Sequence, residues 1–405
     1  MKNLKGRVIF LLLSACTTHA AAQLLTSSPS VDAIGMGGVA ASLPSDNAMA
    51  PMANPAQVGL FSLNGILSVG TYVSPTSYSN WWGNQSVATS SAVAGMDLTG
   101  YMNTPFRVSI GLGYSRTGEN STGYPYFKSY DQANDVSFGI GFNYFVNVGL
   151  GFGLNWISSS YQNQPLQNQE SNATTYSYGG IVQIPVAEIL QGEKKEGAIG
   201  NSTVQSIANL AVAYNVRDMG SIPDNSTLFS RQGDLGINFE IGVESSFNGQ
   251  PWKLLSVTLA READESLTRA DSVFYTLNRG DSVYNYFEAY TSAIRHMSPF
   301  NNLIVGTYGT NVGVRSGLQI QAAEFLYLRF GKGAGSFVGN YTTFGFGIRL
   351  RGLMRLLCLV SNDSNPKGFL MSLLTDHVDL QFDYSKMTSW NGAPAFNELN
   401  MVVKP

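Results

Sequence analysis

The chain has 405 residues, only 13% of them Asp, Glu, Lys or Arg, with 12% aromatics, 43 glycines and a mean hydropathy of -0.01. That charge content is about half the share of ordinary soluble domains, which argues against the two or three soluble domains that length alone suggests. A formal charge of -3 provides no basic surface for nucleic acid, and beyond the N-terminus no apolar run approaches the about 20 residues of a spanning helix.

In chain order, Met1 to Arg7 is a basic n-region, Val8 to Leu13 a short apolar core, and Ala20-Ala-Ala22 before Gln23 a small-residue cleavage site. Residues 1–22 therefore read as a signal peptide. Leu13-Ser-Ala-Cys16 also fits a lipobox, in which Cys16 would be lipidated; either route exports the chain. Without Lys2, Lys5 and Arg7, 21 of the 24 basic residues remain against 27 acidic ones. Cys358 would then be a single thiol without a disulfide partner, and on a lipid-facing strand it would act as a small hydrophobe.

Residues 23–62 form a second segment. Ser30 to Ala56 is rich in Gly and Ala, almost uncharged and without strand periodicity. Small residues let backbone pack closely, glycine reaches turns closed to other residues, and Asn54-Pro55 favours a turn into the first strand. Irregular backbone of this kind is tolerated at membrane depth only where protein or water satisfies it. The segment is accordingly expected as a hatch inside a lumen.

From residue 63 onward, segments of about 10 residues alternate with turn-rich stretches, the spacing of tilted transmembrane strands. In Arg107–Tyr114, Val108, Ile110, Leu112 and Tyr114 point one way while Ser109, Gly111 and Gly113 point the other. Val136–Tyr144, Val148–Trp156 and Phe344–Leu350 repeat the pattern. Soluble sheets would carry Lys, Glu and Thr on the polar face; here it is Gly, Ser and Asn, so the apolar face is expected to meet lipid and the small polar face to line a lumen. Tyr144 and Trp156 fit aromatic girdles, and Asn147 a tight turn.

Candidate strands at 66–73, 91–101, 105–116, 135–146, 147–161, 173–183, 206–216, 234–246, 252–261, 302–308, 311–321, 324–331, 341–351 and 377–384 predict an all-β, transmembrane antiparallel barrel of fourteen strands. Single-chain bacterial barrels take even strand numbers. The charge-rich stretch 262–302 is expected as a long extracellular loop or small subdomain, and Arg349 to Val360 breaks the alternation.

The run Gly35-Met36-Gly37-Gly38, then Asp46, Ala48 and Asn54-Pro55-Ala56, resembles the N-terminal signature of the FadL superfamily of outer-membrane barrels, and within it the PorV/PorQ family of the type IX secretion system. Phe344 to Ile348 and Val378 to Ser385 are compatible with that family's late strands; the final Val403-Lys-Pro405 departs from the terminal aromatic common in barrels. The resemblance implies a fourteen-stranded barrel with an internal N-terminal hatch, in the bacterial outer membrane. PorV-like members are associated with the secretion channel and with handing cargo to the surface, whereas FadL-like members pass hydrophobic molecules.

Catalytic and metal chemistry finds little support. His296 and His377 are the histidines after the leader, no Gly-x-Ser-x-Gly elbow surrounds a serine, and no Cys or His pair has metal-ligand spacing. Asp131, Asp135 and the cluster Glu262, Asp264, Glu265 could hold Ca²⁺ in a loop, though loop carboxylates are ordinarily solvated. The expectation is a non-enzyme without cofactor whose partners are outer-membrane lipid, type IX channel or cargo proteins, or a hydrophobic ligand. A type IX scaffold predicts a sealed lumen with an apolar outer loop surface; a channel for hydrophobic molecules predicts an apolar pocket beside the hatch and an opening in the wall.

Overall fold

The computed structural model describes residues 30–73, 78–80, 83–102, 106–123, 127–163, 167–191, 197–199, 202–220, 231–247, 250–276, 282–290, 294–309, 311–335, 340–360, 372–389 and 395–405. The expected signal peptide and Cys16 lie outside them.

Fourteen antiparallel strands close a barrel: β1 (Leu67–Val73), β2 (Gly83–Asp97), β3 (Arg107–Gly123), β4 (Phe127–Asn143), β5 (Asn147–Asn163), β6 (Gln167–Pro185), β7 (Ser202–Gly220), β8 (Gln232–Phe247), β9 (Gln250–Ser266), β10 (Val312–Ala322), β11 (Leu326–Ala334), β12 (Tyr341–Arg349), β13 (Val378–Ser389) and β14 (Ala395–Val403). Each pairs with its sequence neighbour, and β1 closes the ring by pairing with both β2 and β14. Two register shifts interrupt the ladders, at Tyr176/Tyr178 between β6 and β7 and at Val243/Glu244 between β8 and β9. Among the described residues no helix is long and apolar enough to cross a membrane.

The faces of the wall are those of a protein turned inside out. On β3, Leu112 is 56% exposed and Ser109 is 0% exposed. Phe138, Leu150, Phe152, Phe239, Leu259 and Phe344 are exposed on their strands, whereas Ser137, Thr175, Asn215, Asp234, Glu262, Arg315 and Asp383 are buried. Alternation thus sends the large apolar side chains outward, as a lipid-facing band requires. Short turns join β4 to β5 and β10 to β11 at one end of the barrel, whereas the long connection from β9 to β10, with its hairpin, leaves the other end.

The strand total agrees with the sequence reading through two errors that cancel. Residues 302–308 are not a strand: Pro299–Val305 forms a π-helical turn, ended by Gly306 with φ 85°. Ala395–Val403, not expected, is the closing strand β14. The expected loop 262–302 also shifts, because β9 runs on to Ser266 and a separate hairpin, 268–276 with 282–290, follows. Residues 350–360, where alternation failed, are a helix. Cys358 lies on that helix, buried against Trp252, rather than on a lipid-facing strand. Asn147 is the first residue of β5, paired with Asn143; the turn itself is 144–146.

Candidate functional site

The N-terminal segment holds three short helices, α1 (Val31–Gly35), α2 (Ala50–Ala53) and α3 (Ala56–Ser62), and contributes no strand to the sheet. It touches the inner face of the wall on opposite sides. On β4 and β5, Gly139 lies against Gly59, Gly149 against the Ala56 carbonyl and Gly151 against Pro55; on β10 and β11, Gly317 and Gly331 lie against Met36 and Gly37. At each of these glycines a Cβ would collide with backbone, so the wall is floored with glycine where the segment's main chain rests on it.

The residues singled out in the sequence now have local reasons. Gly37 and Gly38 take φ of 74° and 84°, the left-handed region open to glycine, and so end α1 sharply. Gly37 N–H donates to Thr343 Oγ1 at 3.0 Å, Thr343 Oγ1 donates to the Gly35 carbonyl at 3.0 Å, and Tyr341 Oη donates to the Gly37 carbonyl at 2.9 Å. Asn54 is extended, as a residue before proline must be. Its Oδ1 accepts from Ala56 N–H at 3.0 Å and its Nδ2 donates to the Ala41 carbonyl at 3.1 Å, so it starts α3 and ties it to the preceding loop. Pro55 sits at φ -60°, already set for a helix, and Ala56 is fully buried.

Asp46 stands apart from the other motif residues. It pairs with Lys404 at 2.5 Å, linking the segment to the chain's last residues. Burial pushes its carboxyl up, but Lys404, helped by Arg349 and Arg351, outweighs this and holds it below the ordinary value.

Side chains of the wall satisfy the segment's backbone. Glu262 accepts from the N–H groups of Ala40 and Ala41 at 3.0 and 2.7 Å, Glu398 accepts from Val31 N–H at 2.6 Å, and Arg315 donates to the Gly38 carbonyl at 3.1 Å. Sequence reading missed these partners, since nothing local connects residues more than 200 positions apart.

The acidic cluster is not a loop site. Glu262 and Asp264 lie in β9 and face inward, where with Asp234 of β8 their oxygens come within 4.8 Å of one another. Glu265 faces the other side and accepts backbone N–H groups of Arg295, His296 and Met297. Arg315 pairs with Glu262 at 3.4 Å and Asp264 at 3.1 Å, and Arg217 with Asp234 at 2.9 Å, so the three carboxylates already have cationic partners. The side chain of Asp131 lies outside the described residues, and that of Asp135 accepts from Ser137. His296 lies in the stretch after the hairpin, and His377 ends a π-helical turn before β13.

Beside the segment, toward the short-turn end, is a cavity of about 610 Å³. Its lining is polar, including Asp46, Lys253, Gln319, Arg349, Arg351 and Asp379, where a channel for hydrophobic molecules was expected to show an apolar pocket. A triad stiffens this wall: Asp383 binds Arg329 at 2.5 Å and Arg349 at 3.4 Å, and both guanidinium groups lie over the Tyr327 ring.

No protein-family model matches the chain, and no curated protein does. Several solved barrels align along most of it. The Pseudomonas putida toluene transporter TodX is 11% identical over 95% of this chain and 98% of its own, with a TM-score of 0.40. A Pseudomonas aeruginosa FadL homologue is 10% identical over 95% and 100%, at 0.42. The β-domain of the Bordetella autotransporter BrkA is 8% identical over 84% and 100%, at 0.37. Likenesses this remote do not separate a small-molecule channel from an autotransporter barrel. The chain is similar to outer-membrane β-barrels, and its function has to be argued from its own lumen.

Proposed function

We propose that the chain is a gated outer-membrane channel of FadL-like build, with residues 30–63 as its hatch. The reading rests on how the barrel interior is occupied. One stretch of non-strand chain meets opposite walls through glycine contacts and side-chain hydrogen bonds, so it can move without unzipping a strand pair. The polar cavity below it supplies an exit, and short turns belong on the periplasmic side of such barrels. A lining of Lys253, Arg349, Arg351 and Asp379 favours cargo with a charged or polar head over a bare hydrocarbon. The test reconstitutes the protein in liposomes and follows leakage of small solutes and of a fatty-acid-like amphiphile. Cutting two hatch ties together, Glu262→Ala with Glu398→Ala, should raise both. If the hatch of that variant becomes protease-sensitive while permeability stays at the wild-type level, the channel reading fails.

A second reading, a PorV/PorQ-like scaffold for type IX secretion, has its own support. Among the described residues the strand pairing continues around the whole barrel, and Phe300, Ile304 and Val305 present apolar surface on the turn outside β9. Its test is surface display of proteins with type IX sorting domains after deletion of the gene; normal display removes it.

A further inference from the structure

The helix between β12 and β13, α4 (Leu350–Val360), is amphipathic the wrong way round for a helix at the edge of a protein in water. Its only polar side chains are Arg351 and Arg355, and they are 5% and 0% exposed. With Gly352 and Cys358 they make one stripe at spacings of three and four, a single helix face. That face is fixed to the rim of the barrel. Arg355 donates from Nε to the Thr375 carbonyl at 3.0 Å and from Nη1 to the Pro251 carbonyl at 3.2 Å, and pairs with Glu324 at 3.3 Å. Gly352 rests on the Glu324 carbonyl, where a Cβ would collide with backbone.

The opposite face is wholly apolar. Leu357 is 50% exposed, and Leu353 and Leu356 beside it are half-buried; Leu359, four residues after Arg355, is 54% exposed at the helix end. This surface adjoins the outer face of the barrel wall. Leu356 and Cys358 pack on Trp252, Leu254 and Ala323 at the feet of β9 and β10, Trp252 Nε1 donates to the Ala323 carbonyl at 2.9 Å, and Leu255 and Leu259 stand exposed further along the outer face of β9.

We propose that α4 lies in the periplasmic-leaflet interface of the outer membrane, its leucine face among phospholipid acyl chains and its arginine face clamped to the short-turn rim. The occupant of the exposed face is lipid, because that face continues an existing lipid-facing surface. In water it would be an apolar patch without cover, whereas a helix with this pattern binds a bilayer surface through its apolar area. The proposal rests on the membrane-barrel fold and not on the choice between channel and scaffold.

The test uses the full-length protein in phosphatidylethanolamine and phosphatidylglycerol vesicles, with Cys358→Ala and Cys16→Ser removing native thiols. Nitroxide labels go on Leu353→Cys and Leu357→Cys, with Asn64→Cys at the polar mouth as the water-exposed reference. Oxygen should relax the labels at 353 and 357 several-fold more, relative to a water-soluble nickel chelate, than the label at 64. Equal ratios at all three positions would overturn the proposal and leave the face to a periplasmic protein. The two labelled positions lie one turn apart on the same face, so a folding failure at one does not remove the readout.

Discussion

Gly149→Val tests whether residues 30–63 are a movable element resting on a glycine floor. At Gly149 a Cβ would sit 2.5 Å from the Ala56 carbonyl oxygen and 3.0 Å from the Leu60 nitrogen. Carbon contacts are comfortable from about 3.5 Å, so the first is short by roughly 1 Å, and both obstacles are backbone. β5 is fixed by ladders to β4 and β6, and valine is at home in a strand, so the strain should fall on the hatch. Overpacking of this kind costs about 1–3 kcal/mol. Shifting Ala56 also pulls its N–H from Asn54 Oδ1, a hydrogen bond worth about 1 kcal/mol. The total, about 2–4 kcal/mol, corresponds to a roughly 30- to 700-fold rise in the undocked population at about 1.4 kcal/mol per tenfold. The assay is the rate of opening in planar bilayers, with protease sensitivity of residues 30–63 as a second measure. Gly113→Ala is the control: its Cβ would meet a methyl of Val58 at 3.3 Å, a side-chain tip that can give way. If Gly149→Val opens no more often and is cut no faster than Gly113→Ala, the glycine floor does not set the docking of the hatch.

Three further outcomes are expected. Asp383→Asn leaves Arg329 and Arg349 sharing a neutral partner in a buried site; breaking such a pair costs about 3–5 kcal/mol, so the denaturation midpoint in detergent should drop clearly, and an unchanged midpoint would deny the triad a role in stability. Arg261→Met removes the donor that holds the Leu303 and Ile304 carbonyls at 3.0 and 2.7 Å, so amide exchange should quicken in 299–306 while the barrel's heat-modifiable gel shift stays as in wild type. Because Lys404, Arg349 and Arg351 together outweigh burial and lower Asp46 in the folded protein, the stabilisation from this pair is present above the ordinary carboxylate pKa, about 4, and is lost as pH falls through the lowered value. Wild type and Lys404→Gln should therefore differ in hatch release near neutrality and converge in acid once the Asp46 carboxyl is protonated; a difference that persists undiminished in acid would assign the effect elsewhere.

What the sequence made legible was whatever repeats locally. β3 to β5 show period two over nearly every residue, because their inward positions carry Ser and Gly and their outward ones large apolar groups. β14 hid because the rule weakens there: Phe396 points inward and is 3% exposed, while Asn397 takes an outward position between it and Glu398. The false strand at 302–308 arose from Leu303-Ile304-Val305, a β-like run cut short by Gly306 in the left-handed region. The motif from Gly35 to Ala56 was readable as close-packed irregular chain. Its acceptors Glu262, Thr343 and Glu398 were not, since only the closed barrel brings positions 40 and 262, or 31 and 398, together.

The wall carries two kinds of inner surface, and each answers a different need of the segment. Where helical main chain approaches sideways, as α3 does at β4 and β5, its N–H and C=O groups are largely engaged within the helix; what it needs is room, and glycine gives it. Where the chain is irregular, at Ala40 and Ala41, its N–H groups have no helical partner, and a buried donor left unpaired costs about 1–3 kcal/mol; there the wall offers Glu262. A carboxylate at that depth in turn requires a cation, which explains Arg315, and Arg315 also donates to Gly38 on the same loop. The inward charges of β8 to β10 are thus tied to the path of residues 38–41. Straightening that loop by substitution would strand Glu262, Asp264 and Arg315 together, so the loop and the charged wall are expected to tolerate change only in concert.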